Sequence, residues 1–189
     1  MDETHLKALT QRLASGRRST LSLEGFRKAA VLVPLIADGG GYDLLFTKRT
    51  DSVETHKGQI SFPGGMVDEG DRDLVDTALR EAEEEVGIKR SAVTTLGLLD
   101  DIATPVGFVI TPVVGVLSRV PALSLNAVEV AEVFRVPVSF FADPENGTVG
   151  YRERGGRRYE VWSFDTGTHV IWGATANIVK MLMRWMAAP

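Results

Sequence analysis

Pro63-Gly64-Gly65-Met66-Val67-Asp68-Glu69-Gly70-Asp71 is followed, eight residues later, by Arg80-Glu81-Ala82-Glu83-Glu84-Glu85-Val86-Gly87-Ile88. A glycine-rich bend therefore leads into a helix predicted over Leu74 to Val86. Successive residues of a helix are rotated by about 100°, so residues three and four apart share a face. On that spacing Glu81, Glu84 and Glu85 project to one side and Glu83 points roughly away from them. Val75, Leu79, Ala82 and Val86 form a separate apolar stripe that can bury against a sheet. Carboxylates held side by side repel one another unless a cation sits between them, and hard oxygen ligands in that number suit Mg²⁺ or Mn²⁺. Glu-rich helix faces are more commonly just solvated. Two features favour a metal here: Arg80 adjoins Glu81 and can orient it, and the Pro63-Gly64-Gly65 turn lets backbone carbonyls approach an ion closely.

Outward from this segment the chain alternates strand and helix signals. Thr4 to Ala14 reads as an amphipathic helix with Leu6, Leu9 and Leu13 on one side and Thr4 as a cap, followed by a short Gly/Arg/Ser connector over Ser15 to Thr20. Residues 1–25 thus form an N-terminal helix and connector. Ala29 to Ile36 is an apolar run of strand length, and Gly39-Gly40-Gly41 turns it back into Tyr42 to Arg49 as a hairpin. Gln59 to Phe62 is a short strand feeding the glycine bend. Val93 to Asp100 and Phe108 to Val120 are further strands, the second a Val/Ile run of the kind covered on both faces. Val133 to Pro137 is another, with one helical turn over Val138 to Ala142. Thr148 to Arg152 and Arg158 to Phe164 flank Gly155-Gly156 as a second hairpin, and Ala174 to Ala187 is a closing helix. Strands interleaved with two main helices imply an α/β sandwich with mixed strand directions. No internal repeat or low-complexity segment is present.

The glycine bend and acidic helix resemble the signature of the Nudix hydrolases, in which a Gly, a spaced acid and an Arg-Glu-aliphatic-x-Glu-Glu-x-Gly-aliphatic run form a loop-helix-loop. Gly65, Arg80, Glu81, Ala82, Glu84, Glu85, Gly87 and Ile88 match it in type and order. Asp71 stands where the general signature has Glu, and one extra residue separates it from Arg80. Leu44-Leu45-Phe46-Thr47-Lys48-Arg49-Thr50, leading to His56-Lys57-Gly58-Gln59-Ile60-Ser61-Phe62-Pro63-Gly64-Gly65, resembles the additional motif of the coenzyme A diphosphatase branch. That branch also tends to carry the Asp and the extra residue. The likeness runs from about Val31 to Ile171-Trp172-Gly173-Ala174-Thr175-Ala176.

The resemblance implies a three-layer α/β/α sandwich with a mixed sheet, with a catalytic loop-helix-loop over 64–88. It implies hydrolysis of the diphosphate bridge of coenzyme A or acyl-CoA to 4′-phosphopantetheine, or its acyl form, and adenosine 3′,5′-bisphosphate. The alternatives are a Nudix enzyme acting on ADP-ribose, dinucleotides or damaged nucleotides, and a catalytically silent ligand-binding Nudix domain. By the same resemblance Glu81 and Glu85 are the primary ligands of Mg²⁺ or Mn²⁺, Glu84 is a third or water-bridged ligand with a catalytic role, and the Gly64 carbonyl is a further ligand. Arg80 belongs to the catalytic set as the partner of a carboxylate in the signature. Glu129, in Ala127-Val128-Glu129-Val130-Ala131-Glu132-Val133-Phe134, is the candidate base or extra metal ligand, with a solvated loop acid as the competing reading. Asp100 and Asp101 are runners-up.

Arg49, His56, Lys57 and Gln59 are the candidate substrate contacts, with Lys48 beside them. Arg152, Arg154, Arg157 and Arg158 cluster at a hairpin, as a solvated tip or as a receptor for the 3′-phosphate of coenzyme A. Trp162 and Trp172 are expected in the core, with stacking on adenine as the other reading.

Bulk properties bound these readings. The chain has 189 residues, enough for one domain with a sizeable core, and 44% hydrophobic residues. No apolar run approaches the roughly 20 residues that span a bilayer, so no membrane partner is expected. The acidic start Met1-Asp2-Glu3-Thr4-His5 lacks a signal peptide's basic and apolar regions. The absence of cysteine excludes disulfides and allows a reducing compartment, so a cytoplasmic location is expected. A net charge of -4 argues against nonspecific nucleic-acid binding. A net-negative protein that cleaves a polyanionic small molecule must neutralise phosphate locally, through metal ions and a few placed Lys and Arg. The sequence leaves the oligomeric state open.

Overall fold

The computed structural model describes residues 3–50, 58–120, 122–154 and 156–187. Helix α1 (Glu3–Ala14) precedes the connector, and strands β1 (Arg27–Asp38) and β2 (Gly41–Arg49) form the first hairpin. Strands β3 (Ile60–Ser61) and β4 (Gly64–Met66) lead into α2 (Leu74–Val86). Then come β5 (Thr94–Leu98), β6 (Ile102–Ala103), β7 (Phe108–Leu117) and β8 (Val130–Pro137). A single helical turn, α3 (Val138–Ala142), is followed by β9 (Gly147–Arg154), β10 (Arg157–Asp165), β11 (Val170–Trp172) and α4 (Gly173–Ala187).

The large sheet runs β3-β2-β1-β7-β5, with β4 on β1, β6 on β7 and β8 on β2; β1 and β7 are parallel and the other pairs antiparallel. Period-two alternation assigns its side chains to two cores. Ala30, Leu32, Ile36, Leu45, Val113 and Leu117 meet Ala78, Leu79, Ala82 and Val86 of α2. Val33, Leu35, Leu44, Phe46 and Val114 meet Leu9 and Leu13 of α1 and Ile178, Val179 and Leu182 of α4 on the other side. Each fully buried aliphatic side chain contributes roughly 2 kcal/mol, so both faces of β1 and β7 must be covered. The result is the α/β/α sandwich that the alternation of elements implies. No helix of the described residues is long and apolar enough to cross a membrane.

Several local expectations are corrected. The Pro63-Gly64-Gly65 turn is in part a strand: Gly64, Gly65 and Met66 pair with Val31, Ala30 and Ala29. A side chain at Gly64 (φ 157°) would come within 2.4 Å of the Ala30 carbonyl, so only glycine permits this approach. Thr4 lies inside α1 and is not its cap. The β6 and β11 strands were not expected; two and three residues long, they carry too little pattern to be read from sequence. β11, β10 and β9 make a separate three-stranded sheet. Trp172, expected in the core, is 41% exposed, because it shares with Ser163 and Thr148 the face of that sheet turned away from Phe164 and Ile171. Trp162 is half-buried, with the Lys180 ammonium 3.0 Å from its ring centroid.

Candidate active site

Helix α2 is built to carry acids. Asp73 caps its start by accepting from the Asp76 N–H (2.8 Å), and Gly87, left-handed at φ 75°, ends it with its N–H on the Glu83 carbonyl (3.0 Å). The cap geometry leaves Leu79, Ala82 and Val86 against the sheet and turns the polar side toward β4. The Leu32 N–H bonds the Pro63 carbonyl (2.8 Å) and the Val67 N–H bonds the Lys28 carbonyl (3.1 Å). In an antiparallel ladder the intervening Gly64 and Met66 then direct both their N–H and C=O groups to the opposite edge. That edge faces α2: the Gly64 N–H donates to Glu85 Oε2 (3.1 Å), and the Met66 carbonyl accepts from Arg80 Nη2 (3.2 Å). The Gly64 carbonyl points the same way.

Arg80 is the hub. Its Nε and Nη2 bond both oxygens of Asp71 (2.8 and 3.0 Å), and Nη1 bonds Glu81 Oε1 (2.9 Å) and Glu84 Oε2 (3.1 Å). The Asp71 side chain, 2% exposed, also accepts from Thr77 Oγ1 (2.8 Å) and from the Asp68 N–H (2.9 Å). The Arg80 hydrogen bonds hold the Asp71 carboxyl well below the usual carboxylate range. Glu83 lies apart from this network, paired with Lys89 (2.8 Å).

Glu85 is 4% exposed, and burial pushes its carboxyl up to about 7 against the opposing pull of the Gly64 N–H; the negative charges of Glu81 and Glu129 add to the rise. Burial likewise raises Glu81, with Arg80 opposing and Glu84 and Glu129 adding to the rise. Glu84 is the outermost, its side chain 58% exposed. Thus the charges of Glu84 and Glu129 are felt at Glu81 and those of Glu81 and Glu129 at Glu85, with the guanidiniums of Arg80 and Arg49 opposing them. The Arg49 Nη1 lies 3.7 Å from Glu85 Oε1. Its buried Nε has no hydrogen-bond partner among the described residues. A bulge between Lys48 and Arg49, where the β2–β8 register slips, aims the side chain toward α2.

Gly65 lies under this network. A Cβ there would fall 2.5 Å from the Glu81 carboxyl carbon, so the carboxylate occupies space that any side chain would fill. Gly65→Ala must displace Glu81, and turnover falls by about a hundredfold while the fold survives, since the surrounding backbone is regular strand. Activity beside a melting curve checks this; wild-type turnover would show that Glu81 has no fixed place in the reaction.

Other sequence candidates fall as follows. Glu129 faces the acids from the loop before β8, with its Oε1 accepting from Asn126 Nδ2 (3.2 Å). Glu132 instead pairs with His169 Nε2 (3.2 Å), whose ring stacks on Phe134 with centroids 3.8 Å apart. Asp100 and Asp101 bind the N-terminal connector, through the Ser19 N–H (2.7 Å) and Arg18 Nη1 (2.7 Å), and do not join the acids of α2. Gln59 accepts the Arg49 N–H on its carbonyl (2.9 Å), which ties β3 to the end of β2. His56 and Lys57 lie outside the described residues. Arg158 packs over the Tyr151 ring (3.9 Å) on the small sheet. Sequence reasoning passed over Asn126, whose signal was the Asn-x-x-Glu spacing to Glu129 typical of a side-chain-closed turn.

The donors fit a hard divalent cation in kind: the carboxylates of Glu81 and Glu85, both with raised proton affinity, beside a glycine cradle. Among the described residues no three acidic or histidine side chains already stand close enough to hold an ion, and Arg80 bonds an oxygen of both Glu81 and Glu84.

Residues 26–148 match the sequence model of the NUDIX domain. The chain is 39% identical over 156 residues to a protein of Photorhabdus laumondii described as an uncharacterized Nudix hydrolase NudL, with 82% of this chain and 83% of the relative covered. The crystal structure of the Nudix hydrolase RenU from M. smegmatis aligns at a TM-score of 0.53 and 23% identity, over 64% of this chain and 76% of that one. A MutT/nudix family protein from Enterococcus faecalis aligns at a TM-score of 0.53 and 15% identity, over 97% of this chain and 73% of that one. At these identities the two structures speak for the fold.

Proposed function

Since this chain belongs to the Nudix hydrolase family, we propose that it hydrolyses the diphosphate bridge of coenzyme A or its thioesters with Mg²⁺ or Mn²⁺ as cofactor. Water adds across the P–O–P bridge, giving 4′-phosphopantetheine, or its acyl form, and adenosine 3′,5′-bisphosphate. The carrying observation is Glu85, buried between the Gly64 N–H and Arg49 and raised to about 7 beside Glu81 and Glu129. A carboxylate kept at that cost in a network of acids suits a site that gains a cation and an anionic substrate together.

Glu81 and Glu85 would hold the metal, with Glu84 and the Gly64 carbonyl as further oxygen donors. A bound divalent cation supplies charge for the bridging phosphates and acidifies a water molecule. The chain's own groups do the rest. Glu129, across the acids from α2, accepts the proton from the attacking water. Arg49 offers its terminal guanidinium nitrogens, beside Glu85, to a phosphate oxygen. Arg80 stays on Asp71 and fixes the Glu81 rotamer. Gln59, His56 and Lys57 complete the phosphate contacts from the segment before β4.

The choice of coenzyme A rests on the resemblance of the Leu44–Thr50 and His56–Gly65 stretches to the additional motif of the coenzyme A diphosphatase branch; Arg49, in the first of them, lies next to Glu85. Product analysis after incubating coenzyme A with Mn²⁺ in ¹⁸O-labelled water tests it, since label in one product identifies the phosphorus attacked. Faster turnover of ADP-ribose or a dinucleotide than of coenzyme A would move the substrate to those classes. Inertness toward a broad diphosphate panel with either metal would favour a ligand-binding domain.

A further inference from the structure

Resting on the hydrolytic reading of the same site, we infer that Asn126 is a positioning residue that holds the Glu129 carboxylate facing Glu81 and Glu85. The last carbonyls of a helix lack partners within it. In α2 the loop before β8 fills this need: the Ser124 N–H bonds the Val86 carbonyl (3.0 Å) and the Asn126 N–H bonds the Glu85 carbonyl (2.9 Å). Asn126 is therefore one main-chain bond from the residue that carries the buried acid.

Its carbonyl accepts from the N–H groups of Glu129 (3.0 Å) and Val130 (2.8 Å), and its side-chain Oδ1 accepts from the Val128 N–H (3.2 Å). These bonds close the turn. Thr50 clamps the far side, its N–H on the Glu129 carbonyl (2.9 Å) and its hydroxyl on the Val128 carbonyl (2.7 Å). With the backbone of Glu129 held from both sides, what remains free is its side-chain rotamer. The Asn126 Nδ2 donates to Glu129 Oε1 (3.2 Å) and fixes it; among the described residues no other side chain donates to that carboxylate. The charge of Glu129 is felt at both Glu81 and Glu85 as a small addition to the effect of burial, so this rotamer fixes where the fourth acid faces the other three.

An ordinary turn asparagine would need only Oδ1. The second bond, through Nδ2, does nothing for the turn, and the two can be separated. Asn126→Asp keeps the acceptor for the Val128 N–H, replaces the donor to Glu129 by a second carboxylate and so turns the Glu129 side chain away. The substitution lowers kcat about tenfold, leaves KM within about twofold and lowers the melting temperature only slightly, by the repulsion of the two carboxylates. In a Glu129→Gln background the same change costs less than about twofold, because the group it acts through is gone. In chelator-treated protein the side-chain amide resonance of Asn126 shifts on Glu129→Gln.

A full tenfold loss in the Glu129→Gln background, a rise in KM at constant kcat, or an amide resonance indifferent to Glu129 overturns the assignment. These outcomes are distinct from failure of the hydrolytic reading. Wild-type inertness toward every diphosphate sinks that reading, and the amide resonance still decides the Asn126 contact.

Discussion

Glu85→Gln is expected to lower turnover by about a hundredfold or more and at the same time to stabilise the chelator-treated protein. The two effects share a cause. The folded protein holds a proton on Glu85 up to about pH 7, whereas an unfolded chain releases it near the usual value of about 4.3. Folding therefore gains from that proton below about pH 4.3, and the gain is lost as the pH rises toward 7, where burial of an ionised carboxylate opposes folding. Glutamine keeps the acceptor for the Gly64 N–H and removes the charge. At about pH 8 without divalent ions the substitution relieves on the order of 2 kcal/mol, which raises the melting temperature by about 5 °C in a chain of this length.

At about pH 4 the wild type and the variant melt nearly together, because Glu85 is then protonated in the folded wild type and in most unfolded chains. Melting curves with chelator at the two pH values, beside turnover with Mn²⁺, check both halves. A variant that turns over normally removes Glu85 from the metal site. A difference between variant and wild type that is the same at both pH values shows that the Glu85 carboxyl is not raised. Glu83→Gln is the control: its side chain pairs with Lys89 away from the acids, and turnover stays within about twofold.

Arg80→Ala gives the largest loss of stability. It leaves the nearly inaccessible Asp71 carboxylate without its bidentate partner and frees Glu81 and Glu84 to repel each other. Breaking a buried pair from one side costs about 3 kcal/mol, or about 10 °C in melting temperature here. Its pH dependence has the opposite sign to that of Glu85. The depressed Asp71 contributes stability above its unfolded value and loses it only as the pH falls through its folded one. The deficit of Arg80→Ala is thus constant from about pH 5 to 9 and shrinks only in strong acid. Arg80→Lys recovers less than half of the loss, because one ammonium cannot serve Asp71 twice and also reach Glu81, Glu84 and the Met66 carbonyl. A melting temperature within about 3 °C of wild type would show that this network is no stronger than a surface ion pair.

The elements of the fold were legible wherever a local pattern is strong. The helix over Leu74 to Val86 was readable to the residue, because its apolar stripe has one period; the structure adds Asp73 as the cap that starts it and Gly87 as the left-handed residue that ends it. The β1–β2 hairpin and the turn over Val138 to Ala142 were readable for similar reasons. The separation of Glu83 from Glu81, Glu84 and Glu85 also follows from helix geometry alone, which knows nothing of the rest of the chain.

Tertiary structure decided what depends on partners distant in sequence. That Pro63-Gly64-Gly65 runs into a strand follows from pairing with Ala29 to Val31, and no nearby residue announces it. Arg80 finds Asp71 and the Met66 carbonyl only once β4 lies along α2, and Glu129 meets the acids only because its loop satisfies the open carbonyls of Glu85 and Val86. Trp172 is exposed because a three-residue strand turns it outward, a choice made by register with β10. Side-chain chemistry and helical period are written along the chain. Burial, and with it the proton affinity of Glu85, belongs to the packed molecule, because desolvation exists only after the sheet, the helix and the loop have closed around that carboxyl.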